Sequence, residues 1–150
     1  MDSLPLMARD YKYFEYAKKA ALESDFKTKL GAVAVYNGKV IASAASSSKT
    51  HSLQAKYNIY RQFEINGADC LPKVHAEVKL ISKLRRVPNI DFRRVTIYIY
   101  RICKSRPHGL ARPCRACLQA IKDMNIRNLF YTTDFGYAHE RIDVEDLGIS

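Results

Sequence analysis

Between residues 9 and 24 the apolar side chains Tyr11, Phe14, Ala17 and Ala21 recur at three- and four-residue spacing, with Lys12, Glu15, Lys18 and Lys19 between them. That period predicts an amphipathic helix. A polar link follows, and residues 30–36 then read Leu-Gly-Ala-Val-Ala-Val-Tyr, a short apolar run that predicts a buried strand. Asn37-Gly38 marks a type I′ hairpin, because both central positions of that turn need positive φ. Residues 39–44 are expected to return as the second strand. The pattern becomes helical again over 74–86, where Val74, Val78, Leu80, Ile81 and Leu84 form one stripe and Pro88 stops it. Residues 95–100 alternate, with Val95, Ile97 and Ile99 on one face and Thr96, Tyr98 and Tyr100 on the other. After a basic loop, Pro113 is expected as the first residue of a helix carried on by Leu118, Ile121 and Met124 and ending near Asn125. Residues 129–132 predict a last strand, and 134–150 read as a mixed tail with a short helix around 144–147.

Residues 43–54 are small and polar. Residues 55–63 bring Tyr57, Tyr60 and Phe63 together with Lys56 and Arg61 before Asn66-Gly67 breaks the pattern. These aromatics read as core residues with solvated flanks, in an insertion near the mouth of any site formed by the next helix. The length of 150 residues predicts a single domain, 1–150, and 47% hydrophobic residues suit a packed core. There is no basic n-region at the start and no apolar run long enough to span a bilayer, so a cytoplasmic protein without a membrane partner is expected. The net charge of +10 favours phosphate-bearing or polyanionic partners.

The candidate chemistry lies at the starts of two predicted helices. His75 offers an imidazole, and Cys114 and Cys117 offer two thiols at i, i+3. One imidazole and two thiols suit Zn2+ and leave a fourth tetrahedral position open. A helix N-terminus favours the thiolate that zinc binds. Glu77, two residues after the histidine, is placed to handle protons at such a site. A redox reading of Cys-x-x-Cys gives His75 and Glu77 no part. A closed structural zinc site would need a fourth ligand from Cys70, Cys103, His51 or His108 and would leave Glu77 without work. Cys70 and Cys103 have no partners at motif spacing and read as free thiols.

His-x-Glu followed by Pro-Cys-x-x-Cys resembles the zinc-dependent cytidine and deoxycytidylate deaminase superfamily. The resemblance spans about residues 6–133, although only the motif positions are specific. It implies an α/β fold: a three-layer α/β/α domain with a mixed sheet of about five strands and both motif helices on one face. It implies a hydrolase acting on an amidine C–N bond, in which activated water attacks cytosine and Glu77 shuttles protons. It also implies a homo-oligomer. Where the family carries an Asn that touches sugar or base, this chain has Ser46. Ala76, Arg112 and Tyr131 complete the expected substrate contacts, with Arg101, Lys104 and Arg106 near the mouth. Arg112 replaces the Glu common in the tRNA adenosine deaminases and the Ser common in the polynucleotide enzymes. The expected substrate is therefore a free nucleotide or nucleoside of the dCMP or cytidine type. Single-stranded DNA or RNA is the alternative partner, and a zinc-stabilised binding module the alternative of another class.

Overall fold

A computed structural model describes residues 6–49, 52–60 and 75–142. Its strands are β1 (Leu30–Tyr36), β2 (Lys39–Ala45), β3 (Thr96–Arg101), β4 (Asn128–Thr132) and β5 (Tyr137–Arg141), and its helices are α1 (Ala8–Leu22), α2 (Ser52–Tyr57), α3 (Ala76–Leu84) and α4 (Arg115–Asp123). The strands form one mixed sheet in the order β2-β1-β3-β4-β5. The β1–β2 hairpin turns as its sequence predicts, with Asn37 at φ 50 and Gly38 at φ 76. β3 and β4 are parallel, the other neighbours antiparallel. A parallel pair needs a crossover, and α4 supplies it, so α4 begins beyond the C-terminal end of β3.

The alternation in β3 divides the interior in two. Ile97 and Ile99 join Leu129 on one face, under Val78, Leu80, Ile81 and Leu84 of α3 and Ile121 of α4. Tyr98 and Tyr100 join Val33 and Val35 on the other, under Tyr13, Phe14 and Ala17 of α1. The three-layer α/β/α arrangement and the five-strand sheet follow the expectation. No helix among the described residues is long and apolar enough to cross a membrane.

Three local expectations are corrected. First, α1 is turned from its sequence stripe. Tyr11 is 49% exposed, while Asp10 and Tyr13 are buried. The Asp10 carboxylate accepts from the Tyr98 hydroxyl at 2.5 Å and from the Met7 N–H at 2.8 Å, so it is a buried polar tie between α1 and β3. Second, Tyr137–Arg141 is a strand, not part of an irregular tail. Its polar residues suit an edge position, where one side of the strand faces solvent. Third, Pro113 lies one residue before the N-cap of α4. The helix expected around 144–147, and Arg61, Phe63, Asn66 and Gly67, lie outside the described residues.

Gly31 marks the closest approach of α1 to the sheet. A Cβ there would stand 2.2 Å from the Ala17 carbonyl oxygen and 2.3 Å from the Ala21 nitrogen, both backbone atoms that cannot rotate away. Gly31→Ala is therefore expected to destabilise the fold by about 3 kcal/mol or more in denaturant titration. An unchanged midpoint would contradict the close packing of α1 on β1.

Candidate metal centre

His75 and Cys114 enter the centre in the same way. Each is the N-cap of its helix with extended backbone, φ −79 and ψ 154 for His75, φ −69 and ψ 172 for Cys114. The carbonyl of each accepts the first helical bond, from Lys79 N–H at 3.0 Å and from Leu118 N–H at 2.8 Å. An N-cap side chain projects across the helix end, so two helix starts that meet bring two side chains to one point. Cys117 follows one turn into α4 and is fully buried.

The His75 Nδ1 lies 3.2 Å from Cys117 Sγ and 3.6 Å from Cys114 Sγ. Zinc bonds of about 2.0–2.1 Å to nitrogen and 2.3 Å to sulfur in a tetrahedron require N···S separations of about 3.5 Å. Among the described residues, these three form the group whose donor atoms lie close enough to share an ion, all within 4.8 Å of one another. The spacing and the donor chemistry both fit zinc. Hydrogen bonding from Cys117 pulls the Cys114 thiol down to about 4, with His75 adding to the effect against the opposing pull of burial. The thiolate is thus ready for a cation.

Glu77 sits on the second residue of α3, 3% exposed, and its Oε1 has no hydrogen-bond partner. Burial pushes its carboxyl above the ordinary range, and the neighbouring Cys114 adds to this while His75 opposes it. A buried carboxyl oxygen without a protein partner, beside a metal site, is positioned to exchange a proton with a bound molecule.

The other expected residues are placed less simply. Ala76, the first residue of α3, is fully buried beside the centre. Ser46 is buried. Its hydroxyl donates to the Thr28 carbonyl at 2.8 Å, accepts from Leu30 N–H at 3.1 Å and bonds Ser24 Oγ at 2.8 Å, which ties the α1–β1 loop to the end of β2. Tyr131 packs into the core. Its ring is 1% exposed on the α3–α4 side of the sheet, so it offers no stacking face. Its hydroxyl donates to Glu140 at 3.1 Å, and Glu140 also takes two bonds from Arg112, at 3.0 and 2.8 Å. Of the mouth cations, Arg106 pairs with Asp134 at 3.1 Å, Lys104 is exposed, and Arg101 reaches the Leu110 carbonyl at 3.4 Å.

His108 is buried with its Nδ1 2.7 Å from the Thr133 carbonyl oxygen, away from the three donors. Cys103 is a half-buried free thiol, and a Cβ on Gly109 would come within 2.7 Å of its sulfur. His51 and Cys70 lie outside the described residues. Two contributors escaped the sequence: Glu140, which gathers Arg112 and Tyr131, and Gln54, whose Oε1 accepts the His75 N–H at 3.0 Å. Gln54 carries a weak signal, a polar residue in an otherwise apolar helix position. A cavity of about 510 Å³ lined by Asp10, Tyr98, Phe130 and His139 opens toward α1, across the sheet from the centre, and takes no part in it.

The sequence matches the cytidine and deoxycytidylate deaminase zinc-binding region over residues 7–133. The chain belongs to this family, and with the His/Cys/Cys group it is a zinc-dependent deaminase of the cytidine/deoxycytidylate type. Two solved structures of the dCMP deaminase of cyanophage S-TIM5 share its fold. The apo form is 20% identical with a TM-score of 0.57, covering 85% of this chain and 86% of that one. The form in complex with dCMP and dUMP is 19% identical with a TM-score of 0.57, covering 86% and 85%. No curated protein is significantly similar to the chain.

In zinc-free protein, Cys114 is expected to alkylate at a rate that stays level from about pH 8 to about pH 5 and falls only near its lowered value of about 4, with zinc protecting it. The sign follows from the lowered value: the thiolate persists far below the pH where an ordinary thiol is protonated. A rate rising about tenfold per pH unit between about 6 and 8 would contradict the placement of Cys114.

Proposed function

We propose that the chain deaminates cytosine to uracil in a free nucleotide or nucleoside of the dCMP or cytidine type. The observation that carries this reading is the buried Glu77 Oε1, left without a protein partner beside three donors spaced for zinc. When bound, zinc supplies a Lewis acid that makes water a nucleophile near neutral pH. Glu77 would take a proton from the water whose oxygen adds to the amine-bearing carbon C4. Its raised affinity for protons lets the carboxyl hold that proton and pass it to the ring nitrogen N3. The same carboxyl then takes the proton of the added hydroxyl as the C4 carbonyl forms and delivers it to the departing amine, so that the C4–N bond breaks and cytosine and water give uracil and ammonia. The Ala76 N–H belongs to the first turn of α3, where the helix itself uses no donor, and is proposed to steady the base.

Two observations support a small substrate over a strand. A surface that tracks a nucleic-acid backbone presents its cations to phosphates. Here Arg106 is paired with the Asp134 carboxylate, which reduces the field along the mouth. The structural neighbour with the same fold is described as binding dCMP and dUMP. Arg112, two residues before Cys114, is proposed to exchange Glu140 for the nucleotide phosphate.

Two measurements test these assignments. In an ammonia-release assay of zinc-loaded protein on dCMP, cytidine and a cytosine-containing oligonucleotide, turnover is expected on the free compounds, with Glu77→Gln slower by about 10²–10⁴-fold at undiminished zinc content. Turnover confined to the oligonucleotide, falling steeply with salt, would overturn the substrate assignment, and an active Gln variant would overturn the role of Glu77. Arg112→Ala is expected to raise KM for dCMP by about tenfold and leave that for cytidine nearly unchanged, since only the former loses a charge-assisted bond. Equal changes on both would remove Arg112 from phosphate binding.

A further inference from the structure

Helix α2 has no part in the chemistry described above, yet it touches both helices that carry the metal donors. Gln54 is completely buried, with Oε1 accepting the His75 N–H at 3.0 Å and Nε2 donating to Asn58 Oδ1 at 2.8 Å. The orientation of the amide is fixed by chemistry, because a backbone N–H can only donate and so must face the oxygen. One turn on, the Tyr57 hydroxyl donates to Asp123 Oδ2 at 2.6 Å at the far end of α4, where Gln119 Nε2 also holds Asp123 at 2.9 Å. The short helix therefore fastens the start of α3 and the end of α4 at once.

We propose that Gln54 is a positioning residue of the metal centre, acting through the His75 backbone. His75 is an N-cap in extended conformation, and its N–H lies outside the hydrogen-bond ladder of α3. The α3 ladder holds the His75 carbonyl, through the Lys79 N–H at 3.0 Å, but does not reach the amide on the other side of its Cα. The Gln54 oxygen holds that amide from outside, and Asn58 keeps the Gln54 amide from rotating. The effect is to help set the His75 Nδ1 at 3.2 and 3.6 Å from the two sulfurs. Groups that orient metal ligands without touching the metal commonly change affinity by about 10–100-fold when removed. This inference rests on the zinc assignment of the three donors and is independent of which cytosine compound is the substrate.

The test compares zinc retention against a chelator for the wild type, Gln54→Met, Gln54→Glu and Leu53→Ala. Gln54→Met keeps length and burial but loses both bonds, and it is expected to release zinc at about 10-fold lower chelator strength. Gln54→Glu still accepts from the His75 N–H and is expected to stay within about threefold of wild type. Leu53→Ala loosens the same helix by removing apolar packing and is expected to lower thermal stability while leaving zinc retention unchanged. The cobalt-substituted Gln54→Met protein is expected to show shifted d–d absorption bands, which report ligand geometry, whereas cobalt-substituted Leu53→Ala is not. Should Gln54→Met fail to fold, Asn58→Ala carries the test, with a severalfold loss of zinc retention expected. Wild-type retention in Gln54→Met, or in Asn58→Ala where that variant stands in, would overturn the proposal, as would equal losses in Gln54→Met and Leu53→Ala. A wild type that binds no zinc would overturn the metal assignment and the proposal with it.

Discussion

Two helix starts, His75 and Cys114, must arrive at one point with their side chains turned toward each other. That convergence is the constraint on which the other features depend. Neither helix can supply it alone, since an N-cap residue is only half held by the helix it begins. The sheet supplies the coarse placement. The parallel pair β3–β4 forces α4 across the sheet, and the core under Ile97, Ile99 and Leu129 fixes both helices on the same face. Hydrogen bonds supply the fine placement, among them the one from Gln54 to the His75 backbone.

The same convergence creates an electrostatic problem. A buried carboxyl, a thiol drawn toward its anion and a second buried thiol stand together with little solvent to screen them. Burial of negative charge is unfavourable unless a cation or a proton answers it. A divalent ion answers the thiolates, while burial raises the affinity of the Glu77 carboxylate for a proton. The proton affinity that burial gives Glu77 is what a proton shuttle needs, so one physical cause serves both the metal and the chemistry. Beside the centre, the loop before Cys114 is stapled to the β4–β5 hairpin. Ala111 N–H donates to the Thr132 carbonyl at 2.9 Å, and the Thr132 hydroxyl donates to the Gly109 carbonyl at 2.6 Å. The approach to Cys114 is thereby set by backbone contacts rather than by a free loop.

Much of this was legible in the sequence where local rules decide. Asn37-Gly38 dictates its turn because few other pairs tolerate positive φ twice. The alternation in β3 reads correctly because the strand is buried on both faces by different layers. The metal donors were legible as a group because imidazole and thiols at helix starts have few alternative uses, and the fold brings His75, Cys114 and Cys117 together. What escaped depends on partners distant along the chain. The turn of α1 about its axis is set by Asp10 meeting Tyr98 across 88 positions. β5 carries charged residues that an edge tolerates, so its hydropathy is silent. The hydroxyls of Ser46 and Tyr131 bond Thr28 and Glu140, 18 and 9 positions away, partners that no local pattern announces.

The convergence of the two helix starts requires zinc to be held by one imidazole and two sulfurs, with its fourth position left to a non-protein ligand. X-ray absorption at the zinc edge of the fully loaded protein tests it most directly. Two sulfurs at about 2.3 Å, a single imidazole signature at about 2.0–2.1 Å and one further light atom are expected. A third sulfur or a second imidazole on the metal would show a closed site and contradict the account.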